Sequence, residues 1–286
     1  MKIAAIDLDG TLLHSDSNMS DFSKKMIEKA AEQDILVIPT SGRSYRSIMS
    51  KIGDVKGIRY TIGANGSVIT DCSDEKIILN KKIPTETCLA IYHHIKDRGG
   101  FYCGYSGNDS YIETGSDQIL LSTKMSKAMC IDLLATDVRV PDLGRMMENG
   151  EISFGKLYFS FIDPREITAC VDWLGRFDDI TYGYSTPYTV EVFAKDCNKD
   201  LAFDYLRQRL GVSREDTIAV GDSENDLSMV RYARFGAAVA NGMNILKEHA
   251  DLVIPSNDED GPAHLLEKIM LEPDFTEKNS MNKAMK

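Results

Sequence analysis

The feature that most constrains this chain is a short, unbroken apolar run that ends without a linker on acidic residues. Ile3 to Leu8 is apolar apart from Asp7, and the chain turns at once into Asp7-Leu8-Asp9-Gly10. A run this short, with no polar alternation, reads as a strand buried on both faces and ending in a functional loop. The pattern recurs. Ile35 to Ile38 closes on Pro39-Thr40-Ser41-Gly42, Thr217 to Val220 closes on Gly221-Asp222, and Tyr60 to Ala64, Phe235 to Ala240 and Leu252 to Ile254 are further apolar pieces. Helical spacing fills the gaps. Phe22, Met26, Ile27, Ala30 and Ala31 recur behind a capping Ser20, and Tyr45 to Ile52, Lys199 to Leu210, Glu224 to Tyr232, Met243 to His249 and Gly261 to Met270 read the same way. Alternating strands and helices predict an α/β fold with a parallel, Rossmann-like sheet and right-handed crossovers. Active groups in such sheets gather at the carboxyl ends of strands. Asp7 and Ser41 fall there.

Between residues 84 and 189 the texture changes. Helices from Thr85 to Asp97 and Arg165 to Phe177 interleave with strand-like runs Phe101 to Tyr105, Tyr111 to Thr114, Lys156 to Ile162, Ile180 to Ser185 and Thr189 to Phe193. The turn formers Ser106-Gly107-Asn108-Asp109-Ser110 join the first two runs as a hairpin. The expectation is an inserted α+β domain over 84–189, with 1–83 plus 190–286 forming the core. The last 15 or so of the 286 residues are polar and are expected to fray.

Charge narrows the partners. With 33 Lys+Arg against 44 Asp+Glu the net charge is −11, and no basic run offsets it, so nucleic acid is excluded as an expected partner. A small anion is still possible where a metal ion and one or two cations reverse the local potential. No signal-peptide core precedes Asp7 and no apolar run nears the ~18 residues of a membrane span, which leads us to expect a cytoplasmic protein without a membrane partner. The six cysteines are scattered and form no CxxC pair, so reduced, mostly buried thiols are expected. Neither a Walker loop, a dinucleotide-binding glycine pattern nor HExxH occurs.

The residues themselves point to phosphate chemistry on a metal. Asp7 and Asp9 at one strand end would repel each other without a cation between them, and hard oxygen ligands favour Mg²⁺. A second acidic cluster, Gly221-Asp222-Ser223-Glu224-Asn225-Asp226, follows another apolar run. In one parallel sheet, two such strand ends can meet on one ion. Lys199, in the first turn of a helix capped by Asn198, opposes the helix dipole unless an anion sits beside it. Ser41-Gly42-Arg43 lies at a strand-to-helix junction, where amides and a hydroxyl can cradle a phosphoryl group. Taken singly, each admits a plainer reading as an acidic turn, a helix start, a solvated lysine or a capping serine.

Jointly and in this order, Asp7-x-Asp9-x-Thr11, Ser41, Lys199 and Gly221-Asp222-x-x-Asn225-Asp226 resemble the haloacid dehalogenase superfamily of phosphohydrolases. The long insertion, with Thr40-Ser41-Gly42-Arg43 and Asn65-Gly66, resembles the Cof-type branch, whose large α+β cap (type IIB) closes over the site and sets specificity. The resemblance spans nearly the whole chain. It implies Mg²⁺-dependent hydrolysis of small phosphorylated metabolites, sugar phosphates or similar, with Asp7 as nucleophile and Asp9 as general acid and then base. Asp7, the backbone carbonyl of Asp9, and Asp222 would hold the metal, with Asp226 as an outer ligand or support. Ser41, the amides of Leu8 and Gly42, Lys199 and Asn225 would bind the phosphoryl oxygens.

Two positions depart from the pattern: Thr40 after Pro39 replaces a small residue, and Asp200 replaces the glycine expected after Lys199. Glu191 and Arg43 are candidates either for substrate contact or for structural ion pairs. His93, His94 and Trp173 read as packing or solvated residues of cap helices. Two other functions use the same motifs, a phosphomutase passing the phosphoryl group to a sugar hydroxyl and a regulatory module without turnover. No segment of the cap spells out a substrate, and nothing points to a protein partner.

Overall fold

The computed structural model describes residues 1–53 and 55–280. In chain order they form β1 (Lys2–Asp7), α1 (Asp21–Glu32), β2 (Ile35–Thr40), α2 (Tyr45–Ile52), β3 (Tyr60–Gly63), β4 (Val68–Asp71) and β5 (Lys76–Asn80). Next come α3 (Thr85–Lys96), β6 (Phe101–Ser106), β7 (Asp109–Glu113), α4 (Asp117–Leu121), α5 (Lys127–Leu134), β8 (Val138–Val140), α6 (Leu143–Glu148), β9 (Lys156–Ser160), α7 (Arg165–Leu174), β10 (Ile180–Thr186) and β11 (Thr189–Ala194). The chain ends with α8 (Lys199–Arg209), β12 (Thr217–Gly221), α9 (Leu227–Tyr232), β13 (Phe235–Val239), α10 (Asn244–His249), β14 (Leu252–Ile254), α11 (Gly261–Leu271) and α12 (Phe275–Ser280).

Contacts divide the chain into two units, one made of Met1–Arg43, Ile48–Ile78 and the chain from Asn198, the other of Ser44–Ser47 and Leu79–Cys197. In the first, the sheet order is β14-β13-β12-β1-β2-β3-β4-β5. Neighbours from β14 to β3 run parallel, and β4 returns antiparallel to β3. β1 is a continuous apolar run because it lies between β2 and β12 with both faces covered: Ile3, Ala4, Ala5 and Ile6 are at most 1% exposed. Each such Ile contributes about 1.5–3 kcal/mol of burial. Ile6, Val37, Val220, Phe235 and Leu266 belong to one core. From β1 the chain first builds outward through β2 and β3, then resumes on the other flank with β12. The strand order therefore reverses between β1 and β12, and a crevice opens there at their carboxyl ends.

The second unit has the sheet β10-β11-β9-β6-β7-β8, antiparallel except between β7 and β8. Period-2 alternation sorts its faces. Leu157, Phe159, Val190 and Val192 join Ile91, Ile95, Leu143, Ile167 and Leu174 of α3, α6 and α7 in one core. Lys156 and Glu191 lie on the opposite face and pair at 2.7 Å, with the Lys156 ammonium 4.8 Å from the Tyr105 ring centroid.

Several details differ from expectation. The expected boundary at residue 190 falls inside β11, which pairs with β9 and β10 and carries the second unit on to Cys197. The hairpin strands β4 and β5 were not foreseen, nor were α4, α5, β8 and α6. Of the tail expected to fray, Phe275–Ser280 is helical and anchored by Phe275 on Phe235, ring centroids 5.9 Å apart, while residues 281–286 lie outside the described residues. The helix expected from Glu224 starts at Leu227, after a separate turn tied by the Asp226 side chain. His94 stacks on Trp173 at 3.8 Å between centroids. All six cysteines are free thiols.

Candidate active site

Asp7 is the last residue of β1, and Asp222 follows Gly221 at the end of β12. The β1–β12 register, Ile6 opposite Val220, sets these ends side by side at the crevice. Beyond Asp7 the chain makes a tight turn closed by the Leu13 amide donating to the Leu8 carbonyl at 2.9 Å. Gly10 carries φ 76°, a left-handed conformation that favours glycine, and a Cβ there would stand 2.8 Å from Asp222 Oδ2 and crowd the carboxylate. Thr11 donates its hydroxyl to Asp222 Oδ1 at 3.4 Å.

Lys199 opens α8 and is wholly buried, its Nζ donating to Asp7 Oδ1 and Asp226 Oδ1 at 2.6 Å each. Asn198 caps that helix by accepting the Leu201 amide at 3.1 Å. The side chains of Asp7, Asp222 and Asp226 bring one carboxylate oxygen each within 4.8 Å of the others. Three carboxylates around one ammonium leave an excess of negative charge in a site shielded from water. Burial, with Asp226 and Asp222 adding to it, pushes the Asp7 carboxyl well above its usual range, even though Lys199 opposes the rise. Asp222 is pushed up to about 6, by burial first and then by Asp226. Burial alone would pull Lys199 down, yet Asp226 and Asp7 hold its ammonium above the ordinary lysine value.

Oxygen-only donors with surplus negative charge are the set a hard divalent cation prefers, so the cluster fits Mg²⁺. Its members differ in what they have left to give. Asp226 accepts from Lys199 through one oxygen and from the Asp222 and Ser223 amides, at 3.1 Å each, through the other. That makes it a support for the Gly221–Asp222 turn, and Asp7 and Asp222 the oxygens best placed to hold an ion.

Ser41 and Gly42 stand in the loop after β2, with Ser41 buried. That loop is stitched to the next one. The Ser41 amide donates to the Ile62 carbonyl (2.8 Å), the Asn65 amide to the Ser41 carbonyl (3.0 Å) and the Ala64 amide to the Arg43 carbonyl (2.8 Å). Gly66, at φ 99°, faces the start of α8: a Cβ on it would lie 2.2 Å from the Asn198 carbonyl oxygen. The Asn65-Gly66 pair thus braces both the Ser41 loop and the peptide that carries Lys199.

Two residues read as site members from sequence stand apart from the carboxylate cluster. Asp9 turns its side chain to Arg43, which donates through Nε and Nη2 at 2.7 Å each. Asn225 is exposed, and its side-chain oxygen accepts the Ser223 hydroxyl at 2.8 Å. Leu8 is fully buried, fixing the turn between the two aspartates. Asn241 was missed from sequence. It donates to the Gly10 carbonyl at 2.7 Å and accepts the Asn257 amide at 3.0 Å, while Asn257 donates to the Leu13 carbonyl at 2.9 Å. Its signal was available, since Asn241-Gly242 lies just past the end of β13 as Asp7 and Asp222 lie at the ends of β1 and β12.

The family profile of haloacid dehalogenase-like hydrolases matches residues 4–266. The chain is similar to the phosphatase YwpJ of Bacillus subtilis, 27% identical over 94% of this chain and 100% of the relative. It is also similar to the 5-amino-6-(5-phospho-D-ribitylamino)uracil phosphatase YcsE of the same organism, 27% identical over 92% of this chain and 93% of that one. Among solved structures, a haloacid dehalogenase-like hydrolase from B. subtilis superposes with a TM-score of 0.79 at 27% identity, covering 93% of this chain and 99% of the other.

Proposed function

Since the chain belongs to the haloacid dehalogenase-like hydrolases and is a phosphatase, we propose that it hydrolyses small phosphorylated metabolites, sugar phosphates or similar phosphomonoesters, through a phosphoaspartyl intermediate on Asp7. The observation that carries this reading is the buried meeting of Asp7, Lys199, Asp222 and Asp226 at the strand-order reversal. An Asp7 oxygen attacks phosphorus as the ester P–O bond breaks, and Asp9 gives its proton to the leaving oxygen. Water then attacks the phosphoaspartate, passing a proton to Asp9, and the P–O bond to Asp7 breaks to release phosphate. Lys199 holds the Asp7 carboxylate in line and offsets charge as the dianion approaches. Ser41, Gly42, the Leu8 amide and Asn225 are proposed to take the phosphoryl oxygens, Asn225 after turning from Ser223. Mg²⁺, held by Asp7 and Asp222, with the Asp9 carbonyl as a third ligand and Asp226 in support, would supply Lewis-acid relief of the same charge. The unit containing Leu79–Cys197 is proposed to act as the cap that chooses the substrate. No helix among the described residues is long and apolar enough to cross a membrane.

The test is phosphate release from a panel of sugar phosphates, phosphorylated polyols including 5-amino-6-(5-phospho-D-ribitylamino)uracil, and 4-nitrophenyl phosphate, with Mg²⁺ and with EDTA. Asp7→Asn is expected to be inactive on every substrate that the parent turns over, and chelation to silence the parent. An Asp7→Asn protein as fast as the parent refutes the mechanism.

A further inference from the structure

We propose that Arg43 is a positioning residue for Asp9, acting on proton delivery to the leaving group and not on capture of the phosphoryl group. The inference deepens the reading above and rests on Asp9 being the acid and base of that reaction. Its ground is a two-pronged contact between parts that are each held elsewhere. Arg43 donates Nε to Asp9 Oδ2 and Nη2 to Asp9 Oδ1, both at 2.7 Å, the fork-on-carboxylate geometry that fixes direction as well as distance. The side chain of Arg43 is 13% exposed against 48% for Asp9, so the protein grips the guanidinium and the guanidinium grips the carboxylate.

The backbone at both ends is anchored. Arg43 gives its carbonyl to the Ala64 amide at 2.8 Å and its amide to Ser41 Oγ at 3.3 Å. On the other side, the turn bearing Asp9 is closed by the Leu13 amide on the Leu8 carbonyl and fastened by Asn241 on the Gly10 carbonyl. Asp9, on an exposed turn with a glycine after it, would otherwise sample several rotamers, and acid catalysis falls away when the proton is not held over the departing atom. The contact also suits the chemistry in time. Once Asp9 has given its proton away it is a carboxylate with two equal oxygens, the shape that the fork accepts, and it is then held ready to take a proton from water. For the first step Asp9 swings off the fork while staying within one rotamer of it. Arg43 thus limits the acid to two places, and Lys at position 43, with a single point charge, would not do so.

The experiment compares Arg43→Gln, Asp9→Asn and the double variant on two probes: 4-nitrophenyl phosphate, whose phenolate leaves without a proton, and unsubstituted phenyl phosphate, whose phenolate needs one. Thermal unfolding of each variant verifies that it is folded. Arg43→Gln is expected to lower kcat/KM, which reads the steps through expulsion of the leaving group, by about tenfold or more for phenyl phosphate while leaving that for 4-nitrophenyl phosphate within about threefold. Asp9→Asn should show the same selectivity with a larger loss, and the double variant should be no slower than Asp9→Asn alone, because Arg43 then has nothing left to position. Equal losses of kcat/KM on both probes, or losses that multiply in the double variant, would overturn the proposal and make Arg43 a phosphate contact or a structural residue. Asp7→Asn, run alongside, separates the two levels: an active Asp7→Asn sinks the phosphoaspartate mechanism, whereas an inactive one with unselective Arg43→Gln sinks only the role of Arg43.

Discussion

Substituting Gly66 by alanine tests whether a backbone contact sets the position of the buried ammonium. The new Cβ would lie 2.2 Å from the Asn198 carbonyl oxygen and 2.6 Å from its carbon, whereas separations under 3.0 Å essentially never occur. Something must therefore give way by at least 0.8 Å, and what lies opposite is backbone, with Lys199 the next residue. Lys199 Nζ makes two bonds of 2.6 Å, with no slack to absorb such a shift. Misplacing a catalytic group by about 1 Å costs on the order of 10²-fold in rate. Stability falls too, by about 1–2 kcal/mol for forcing alanine to φ 99° and about 1–3 kcal/mol for the clash. Gly211→Ala supplies the control, because Gly211 sits at φ 67° with nothing within 4 Å of its Cβ position. It should lose only the conformational part, about 1 kcal/mol, with kcat unchanged. The assay is kcat on 4-nitrophenyl phosphate together with urea denaturation. If Gly66→Ala kept kcat within about threefold of the parent and lost no more stability than Gly211→Ala, the brace between Gly66 and Lys199 would be refuted.

Lys199→Met should abolish phosphate release and lower the urea midpoint by an amount equivalent to about 3–5 kcal/mol, since it leaves Asp7 and Asp226 buried without their shared cation; an unchanged midpoint would contradict the charge balance described for the cluster. In the second unit, Asp137 accepts the Ser110 hydroxyl at 2.5 Å, and its pKa is pushed up to about 6, chiefly by burial. The folded state therefore keeps a proton that the unfolded chain releases near pH 4, so this residue makes stability fall as pH rises from about 4 to 6. Asp137→Asn, which still accepts from Ser110, should remove that fall and stabilise the protein at pH 7 by about 1–3 kcal/mol; equal midpoints for variant and parent at pH 4 and pH 7 would refute it.

What could be read from the sequence was whatever depends on burial along one segment. β1 is legible because a strand covered on both faces must be apolar throughout, and Asp7 stands out because nothing in such a strand tolerates a carboxylate except at its end. The same logic marks Asp222. The β4–β5 hairpin is not legible: β5 runs largely exposed, and its turn through Glu75, at φ 55°, depends on Asp71 and Asp74 side chains capping backbone amides. Helices α4 to α6 are short, and their apolar positions give weak periodicity. The Asp9–Arg43 fork and the Gly66–Asn198 contact join residues distant in sequence, and no local pattern announces them. The boundary at residue 190 cuts through β11 because alternation marks a strand with one covered face without marking where the inserted unit ends.

β1 acquires its second neighbour only when Thr217 to Gly221 has been made, since Ile3 pairs with Thr217 and Ile6 with Val220. On the ribosome, at about 5–20 residues per second, the nascent chain holds one edge of its first strand open for roughly 10–40 s, during which it can adhere to other chains. The unit containing Leu79–Cys197 can mature meanwhile, because its sheet draws on no later residue. Lys199 and Asp222 arrive after that, so on the proposed mechanism a polypeptide released before residue 199 displays Asp7 without the partners it would need to act.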